Sequence, residues 1–177
     1  MSGKIDLIHL AVVLISLISI ITDIVWGKIY NWLTIPTALV GLIYAASVHG
    51  WHGLFDSLGG VGLGLLLFGW IFYVGWMGGG DVKLLMALGA LGGYRYVAEV
   101  ALLSILIGGC ISVGILLVRG RMLKFTLKMY DFLLSFFIKE LDLFLPKLDQ
   151  KLTMPFGIAI GLAAIWNMFF HPLGSFL

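Results

Sequence analysis

Six long apolar segments constrain the fold of this chain more than any other feature. They cover residues 5–25, 33–49, 54–77, 82–93, 97–118 and 154–170. All but the fourth are close to the ~20 residues that a helix needs to cross the hydrocarbon of a membrane. With 61% hydrophobic and 11% charged residues, the chain is also far more apolar than a soluble domain. We therefore expect an integral membrane protein.

The apolar segments are expected to be helices, because lipid cannot satisfy unpaired backbone groups, and none alternates as membrane β-barrel strands do. The predicted fold class is all-α: a polytopic bundle of about six transmembrane helices that forms a single domain over residues 1–177. The short fourth segment either extends into the glycine run before it or covers only part of the bilayer. No cleavage site follows the first segment, so we expect it to remain in the mature protein.

Basic residues predict the orientation, because they favour cytoplasmic loops near membrane ends. If the turn at Lys28 is cytoplasmic, alternation through six helices also places Lys83 and residues 119–151 inside. Only Lys4 and Arg95 are then left outside. The basic residues of the long stretch are Arg119, Arg121, Lys124, Lys128, Lys139, Lys147 and Lys151.

Residues 122–145 have apolar side chains at helical spacing with charged residues between them. This pattern is typical of an amphipathic helix that lies on the cytoplasmic membrane surface and contacts anionic lipids. A bent seventh segment around 132–138 is the alternative, but its flanking charges leave it short.

Two acidic residues lie at the edges of apolar segments. Asp23 ends the first segment, and Asp81 follows Gly78, Gly79 and Gly80 at the start of the fourth. A carboxylate there is costly unless it is solvated, paired or shares a proton. The glycine triplet permits close backbone approach and positive φ, and Asp81 could also cap the helix that follows.

Two carboxyls on different helix ends can converge on one water molecule. Like charges a few ångströms apart do not both ionise readily, so one keeps its proton while the other acts as a general base. The base would take a proton from water as it attacks a peptide carbonyl, and the protonated partner would stabilise the oxyanion. This chemistry needs no metal and no cofactor.

The neighbouring polar residues have more ordinary interpretations. Lys83 is two residues from Asp81 and does not face it on a helix. We expect Lys83 to extend to the interface or to neutralise Asp81 rather than to act in the chemistry. Lys28 is expected to be a loop charge, and Asn31 a helix cap. The glycines upstream, from 59 to 75, are expected to pack helices together.

Three blocks of the sequence resemble the type IV prepilin peptidase family. Residues 78–84 resemble its GxGDxK motif, and Asp23 followed by residues 28–34 is similar to its first catalytic block. Residues 154–159 are similar to the proline-aromatic-glycine segment that opens its last helix. Tyr30 stands where the family often has proline.

The resemblance implies that Asp23 and Asp81 are the catalytic residues of an aspartic endopeptidase. The implied supporting residues are Gly78, Gly80, Lys83, Lys28, Asn31, Pro155 and Gly157. The short form resembles the prepilin peptidases of tight-adherence (Flp) pili, with archaeal preflagellin peptidases as relatives. Such enzymes lie in the cytoplasmic membrane with the active site facing the cytoplasm. They cleave the basic leader of a prepilin-like precursor ahead of its hydrophobic segment.

The resemblance implies neither a cofactor nor a nucleic-acid partner. Large members of the family add a methyltransferase domain with paired cysteines, which Cys110, expected to be a buried inert thiol, cannot supply. His49 and His52 are interpreted as interfacial anchors rather than metal ligands. The main alternative function is a proton- or cation-coupled transporter that uses the intramembrane aspartates. Presenilin-like proteolysis is disfavoured because Thr22 precedes Asp23 where that class has tyrosine.

Overall fold

The computed structural model describes residues 7–75, 77–118, 120 and 156–170. In these residues the chain forms four helices: α1 (Leu7–Trp26), α2 (Asn31–Tyr73), α3 (Gly79–Val118) and α4 (Phe156–Phe170). α1, α2 and α3 are long and apolar enough to cross a membrane, and α4 is a shorter apolar helix. The predicted all-α class is therefore confirmed for the part of the chain described. The predicted surface helix at 122–145 lies outside it.

α2 and α3 are each interrupted by one glycine. Gly50 has φ 60° and ψ −143°, and Gly93 has φ 78° and ψ −177°, conformations that are costly for residues with a Cβ. The chain turns tightly at Gly50, since a Cβ on Gly53 would lie 2.5 Å from the Ala45 carbonyl oxygen. Both interruptions fall where the sequence separates two apolar segments. α3 begins at Gly79, so the short fourth segment does extend into the glycine run.

The first half of α3 lies at the centre of the packing. Leu84, Leu85 and Leu88 are fully buried there. α2 approaches this segment through glycines on both sides of Gly50: the added Cβ of Gly41 would lie 2.7 Å from the Ala90 carbonyl, and Gly60 directly contacts Gly89. Both halves of α2 therefore pack against the first half of α3, close to its end, with the backbones close together.

α4 packs antiparallel to α1 and to the second half of α3. On α1, Gly157 meets Asp23, and Gly161 meets Ile20 and Ser16. On α3, the start of α4 contacts Gly108, and its later part receives a 3.1 Å hydrogen bond from the Tyr96 hydroxyl to the Ala164 carbonyl. The start of α4 therefore lies beside the end of α1. The starts of α2 and α3 lie at the same end of the bundle, since Asn31 bonds to Lys83 and Gly80 lies against Ile29.

Two compact units are distinguished within the chain. The first comprises Met1–Gly108 and Pro155–Leu177, and the second Gly109–Met154. Every residue of the candidate site described below belongs to the first unit. Of the second unit, the structure describes the end of α3 and Gly120. Cys110 is exposed there, so the prediction of a buried thiol is wrong.

Asp56 packs against the interruption of α3. It lies within α2 and is half-buried, and its carboxylate occupies the space that a Cβ on Gly93 would fill. Because Gly93 interrupts α3, this carboxylate stands next to the start of the second half of that helix.

The Gly60–Gly89 contact gives a stability prediction. Gly60→Ala and Gly89→Ala each place a methyl group against the backbone of the opposite helix, so each should destabilise the protein by about 1–3 kcal/mol, as overpacked cores do. Thermal unfolding in detergent would measure this. Gly62→Ala is the matched control, because a Cβ there meets nothing within 4 Å. Equal unfolding temperatures for Gly60→Ala and Gly62→Ala would contradict the packing assignment.

Candidate active site

Asp23 lies in the last turn of α1 with only 7% of its surface exposed. The helix ends just beyond it, where Gly27 adopts φ +61° and donates a 2.9 Å hydrogen bond to the Asp23 carbonyl oxygen, a common use of glycine at helix ends. The Asp23 carboxylate lies against the start of α4. There Oδ2 accepts the Ile158 N–H at 3.3 Å, and the Gly157 N–H also donates to the carboxylate.

Gly157 makes this approach possible. A Cβ at this position would lie 2.7 Å from Asp23 Oδ2 and 2.8 Å from Ile29 Cδ1. Unpaired N–H groups and the positive end of the helix dipole make a helix start a good environment for a carboxylate. Gly157 was named as a supporting residue from the sequence, and the structure places it against Asp23. Its predicted companion Pro155 lies outside the described residues.

Asp81 is the third residue of α3 and is 8% exposed. Its carboxylate accepts the backbone N–H of Gly78, while its own N–H donates to the Gly78 carbonyl at 3.2 Å. This reciprocal arrangement resembles a capping box, in which the third helical residue bonds back to the cap. Asp81 therefore does cap the helix, from within its first turn.

The glycine triplet serves close packing rather than unusual backbone angles. Gly78, Gly79 and Gly80 are not among the glycines with positive φ, so that part of the prediction is wrong. A Cβ on Gly80 would lie 3.0 Å from Ile29 Cβ, and one on Gly78 would lie 3.3 Å from Asp81 Oδ2. The triplet thus lets the start of α3 lie directly against the turn that follows α1.

The structure places the two aspartates in the same region of the bundle. Their carboxyls are close enough to interact electrostatically, although they come from the end of one helix and the start of another. Ile29, in the turn after α1, lies against both Gly80 at the start of α3 and Gly157 at the start of α4. An isoleucine in an apolar chain carries no distinguishing signal, so the sequence alone does not point to Ile29.

Lys83 and Asn31 are joined by a hydrogen bond. Lys83 Nζ donates to Asn31 Oδ1 at 2.9 Å, and both side chains are exposed. The predicted alternatives for Lys83, an interfacial position or neutralisation of Asp81, both missed this partner. Asn31 is not a helix cap either: the N-cap of α2 is Tyr30, which makes no side-chain capping bond. Lys28 is an exposed residue of the intervening turn, as expected.

Two neighbouring carboxyls that share one proton can act as an acid and a base. No cluster of three or more histidine, cysteine, aspartate or glutamate residues suited to a metal ion occurs in the part of the chain that the structure describes. The chemical groups that the described residues bring to this region are the two carboxyls.

Comparison with known proteins gives a family match. A family model described as the type IV leader peptidase family matches residues 10–113, a range that includes Asp23, Asn31, Asp81 and Lys83. Curated proteins and solved structures gave no match. Gly157 lies beyond the matched range. Since the match covers more than half of the 177 residues, the chain belongs to the type IV leader peptidase family.

Proposed function

We propose that this peptidase is an aspartic endopeptidase whose catalytic residues are Asp23 and Asp81. Membership of the family makes the chain a membrane peptidase and implies prepilin-like substrates. The observation that supports the aspartic mechanism is that two buried carboxyls, one at the end of α1 and one at the start of α3, lie close enough for Asp23 to act electrostatically on Asp81.

In this mechanism the carboxyl pair carries one proton. The ionised carboxyl takes a proton from a water molecule, whose oxygen attacks the carbonyl carbon of the scissile peptide. The protonated carboxyl donates to the carbonyl oxygen and stabilises the tetrahedral intermediate. The C–N bond then breaks as the amine leaving group receives a proton from the pair. Because both members exchange protons, the pair acts as a unit.

We further propose that six segments cross the cytoplasmic membrane, with the active site on the cytoplasmic side. An unbroken 43-residue helix would be about 64 Å long at 1.5 Å per residue, roughly twice the thickness of the hydrocarbon. The interruptions at Gly50 and Gly93 let α2 and α3 each cross twice. Lys28 and Lys83 lie at the same end as the aspartates, and basic residues favour the cytoplasmic side.

The proposed substrate is a precursor of the Flp (tight-adherence) type, with a basic leader ahead of one hydrophobic segment. The resemblance of residues 78–84 to the short peptidase form supports this choice. A site at the membrane edge suits such a substrate, because the hydrophobic segment stays in lipid while the leader reaches the cytoplasm.

The mechanism predicts the effect of removing either carboxylate. Asp23→Asn and Asp81→Asn keep the side-chain shape but lose the acid–base function, so each should reduce cleavage at least about 10³-fold. Cleavage of a prepilin-like precursor in detergent or liposomes would be measured, with thermal unfolding as the check on folding. The double variant should be no worse than either single one, because the pair acts as a unit. A folded single variant with substantial cleavage would refute the assignment.

Gly157 provides a second prediction at the same site. Gly157→Ala places a methyl group 2.7 Å from Asp23 Oδ2, so it should displace the carboxylate and reduce kcat about 10²-fold, as a misplacement of about 1 Å can do. Gly161→Ala is the control, because it crowds the same helix pair at Ile20 and Ser16 rather than at Asp23. The two variants should lose similar stability but differ in kcat. An equal loss of kcat would show that the packing of α4, rather than its contact with Asp23, is what matters.

The membrane topology can be tested by labelling. In a Cys110→Ala background, Lys28→Cys and Trp51→Cys place a thiol at the two ends of the first half of α2, where both native side chains are exposed. A membrane-impermeant thiol reagent added to intact cells should label the second position and not the first. Labelling of both from the same side would exclude the six-segment topology.

A further inference from the structure

The Lys83–Asn31 hydrogen bond connects the two parts of the chain that carry the aspartates. Asn31 is the first residue of α2 and is joined to Asp23 by the turn after α1, whereas Lys83 follows Asp81 by two residues on α3. The bond spans 52 residues of sequence at an Nζ–Oδ1 distance of 2.9 Å. It therefore ties the Asp23 turn to the Asp81 helix.

Ile29, in the same turn, packs between the start of α3 and the start of α4. The Gly80 position lies against Ile29 Cβ and its backbone, and the Gly157 position lies against Ile29 Cδ1. Ile29 keeps the elements from approaching further, and the Lys83–Asn31 bond keeps them from separating. Together the two contacts limit the movement of the turn from both directions.

An exposed hydrogen bond of this kind adds little to the stability of the folded chain, since both groups can bond to water instead. Its effect is expected in catalysis, because two carboxyls must bridge one water molecule and a misplacement of about 1 Å can reduce the rate about 10²-fold. Lys83 also carries a charge, and among the described residues the partner of its ammonium group is the Asn31 amide oxygen.

We infer that Lys83 is a positioning residue that acts through Asn31 to set the separation of the Asp23 and Asp81 carboxyls. This inference rests on the proposed function, since the carboxyl separation matters only if the pair is catalytic. It differs from a role in neutralising the pair, which would not involve Asn31. It also differs from a role in binding the leader, which would affect KM.

The test uses a double-mutant cycle on the full-length protein, with a precursor that carries a basic leader and one hydrophobic segment as the substrate. Lys83→Met and Asn31→Leu each remove one partner while keeping similar size. Each should lower kcat roughly 10-fold to 100-fold with little change in KM or in the unfolding temperature. The double variant should be no slower than the slower single one. Asn31→Asp and Lys83→Arg keep an acceptor and a donor, so they should retain most of the activity.

Lys28→Met is the charge-matched comparison, because Lys28 is an exposed lysine of the same turn. It should lower kcat less than Lys83→Met does. An equal effect would assign the role to positive charge near the carboxyls and overturn the inference. Full activity of Asn31→Leu, additive effects in the double variant, or a change in KM alone would overturn it as well.

A distance measurement separates failure of this inference from failure of the proposed function. Spin labels would replace Trp32, at the start of α2, and Met77, just before α3, in a Cys110→Ala background. Both Lys83→Met and Asn31→Leu should broaden the distance distribution between the labels. If the unmodified protein cleaves no precursor, the proposed function fails. The label distances alone then decide whether Lys83 and Asn31 hold the starts of α2 and α3 in position. Unchanged distributions would then overturn the positioning role.

Discussion

The rest of this structure depends on the burial of two carboxyl groups in an apolar bundle. A buried carboxylate is costly unless hydrogen bonds or a shared proton compensate for its lost hydration. The donors here are backbone N–H groups at helix starts: Gly78 serves Asp81, and Gly157 and Ile158 serve Asp23. Helix starts are where the backbone has unpaired N–H groups. The starts of α3 and α4 must therefore lie where α1 ends, and this requirement fixes the relative direction of the helices.

Backbone donors impose a second requirement, which is close approach. A carboxylate reaches a backbone N–H only where no side chain intervenes, and Gly157 meets this condition beside Asp23. The turn after α1 reaches α3 in the same way, with Ile29 against Gly80. Farther from the site, Gly60 and Gly89 let α2 and α3 meet backbone to backbone. The glycines of this chain thus position the carboxyls as well as pack the helices.

The sequence predicted the helical class and the segment limits near Gly50 and Gly93, and it drew attention to Asp23 and Asp81, which the structure places within electrostatic range of each other. Apolar run lengths and acids at membrane edges are local signals, so one sequence can carry them. The Lys83–Asn31 bond was missed because its partners are 52 residues apart and neither residue type requires the other. The glycine triplet was assigned positive φ, whereas the structure uses it for close approach. Positive φ and close backbone approach both favour glycine, so the residue type alone does not show which of the two a position requires.

The far end of α4 explains how its N–H groups can serve as fixed donors. Asn167, almost fully buried, donates a hydrogen bond from its side chain to the Glu99 carboxylate, and the Tyr96 hydroxyl bonds the Ala164 carbonyl. Hydrogen bonds between helices in lipid hold them in register. Sliding α4 along α3 would break both bonds, and it would also withdraw the Gly157 and Ile158 N–H groups from Asp23. The polar contacts at one end of α4 therefore support the hydrogen bonding of the candidate catalytic carboxylate at the other.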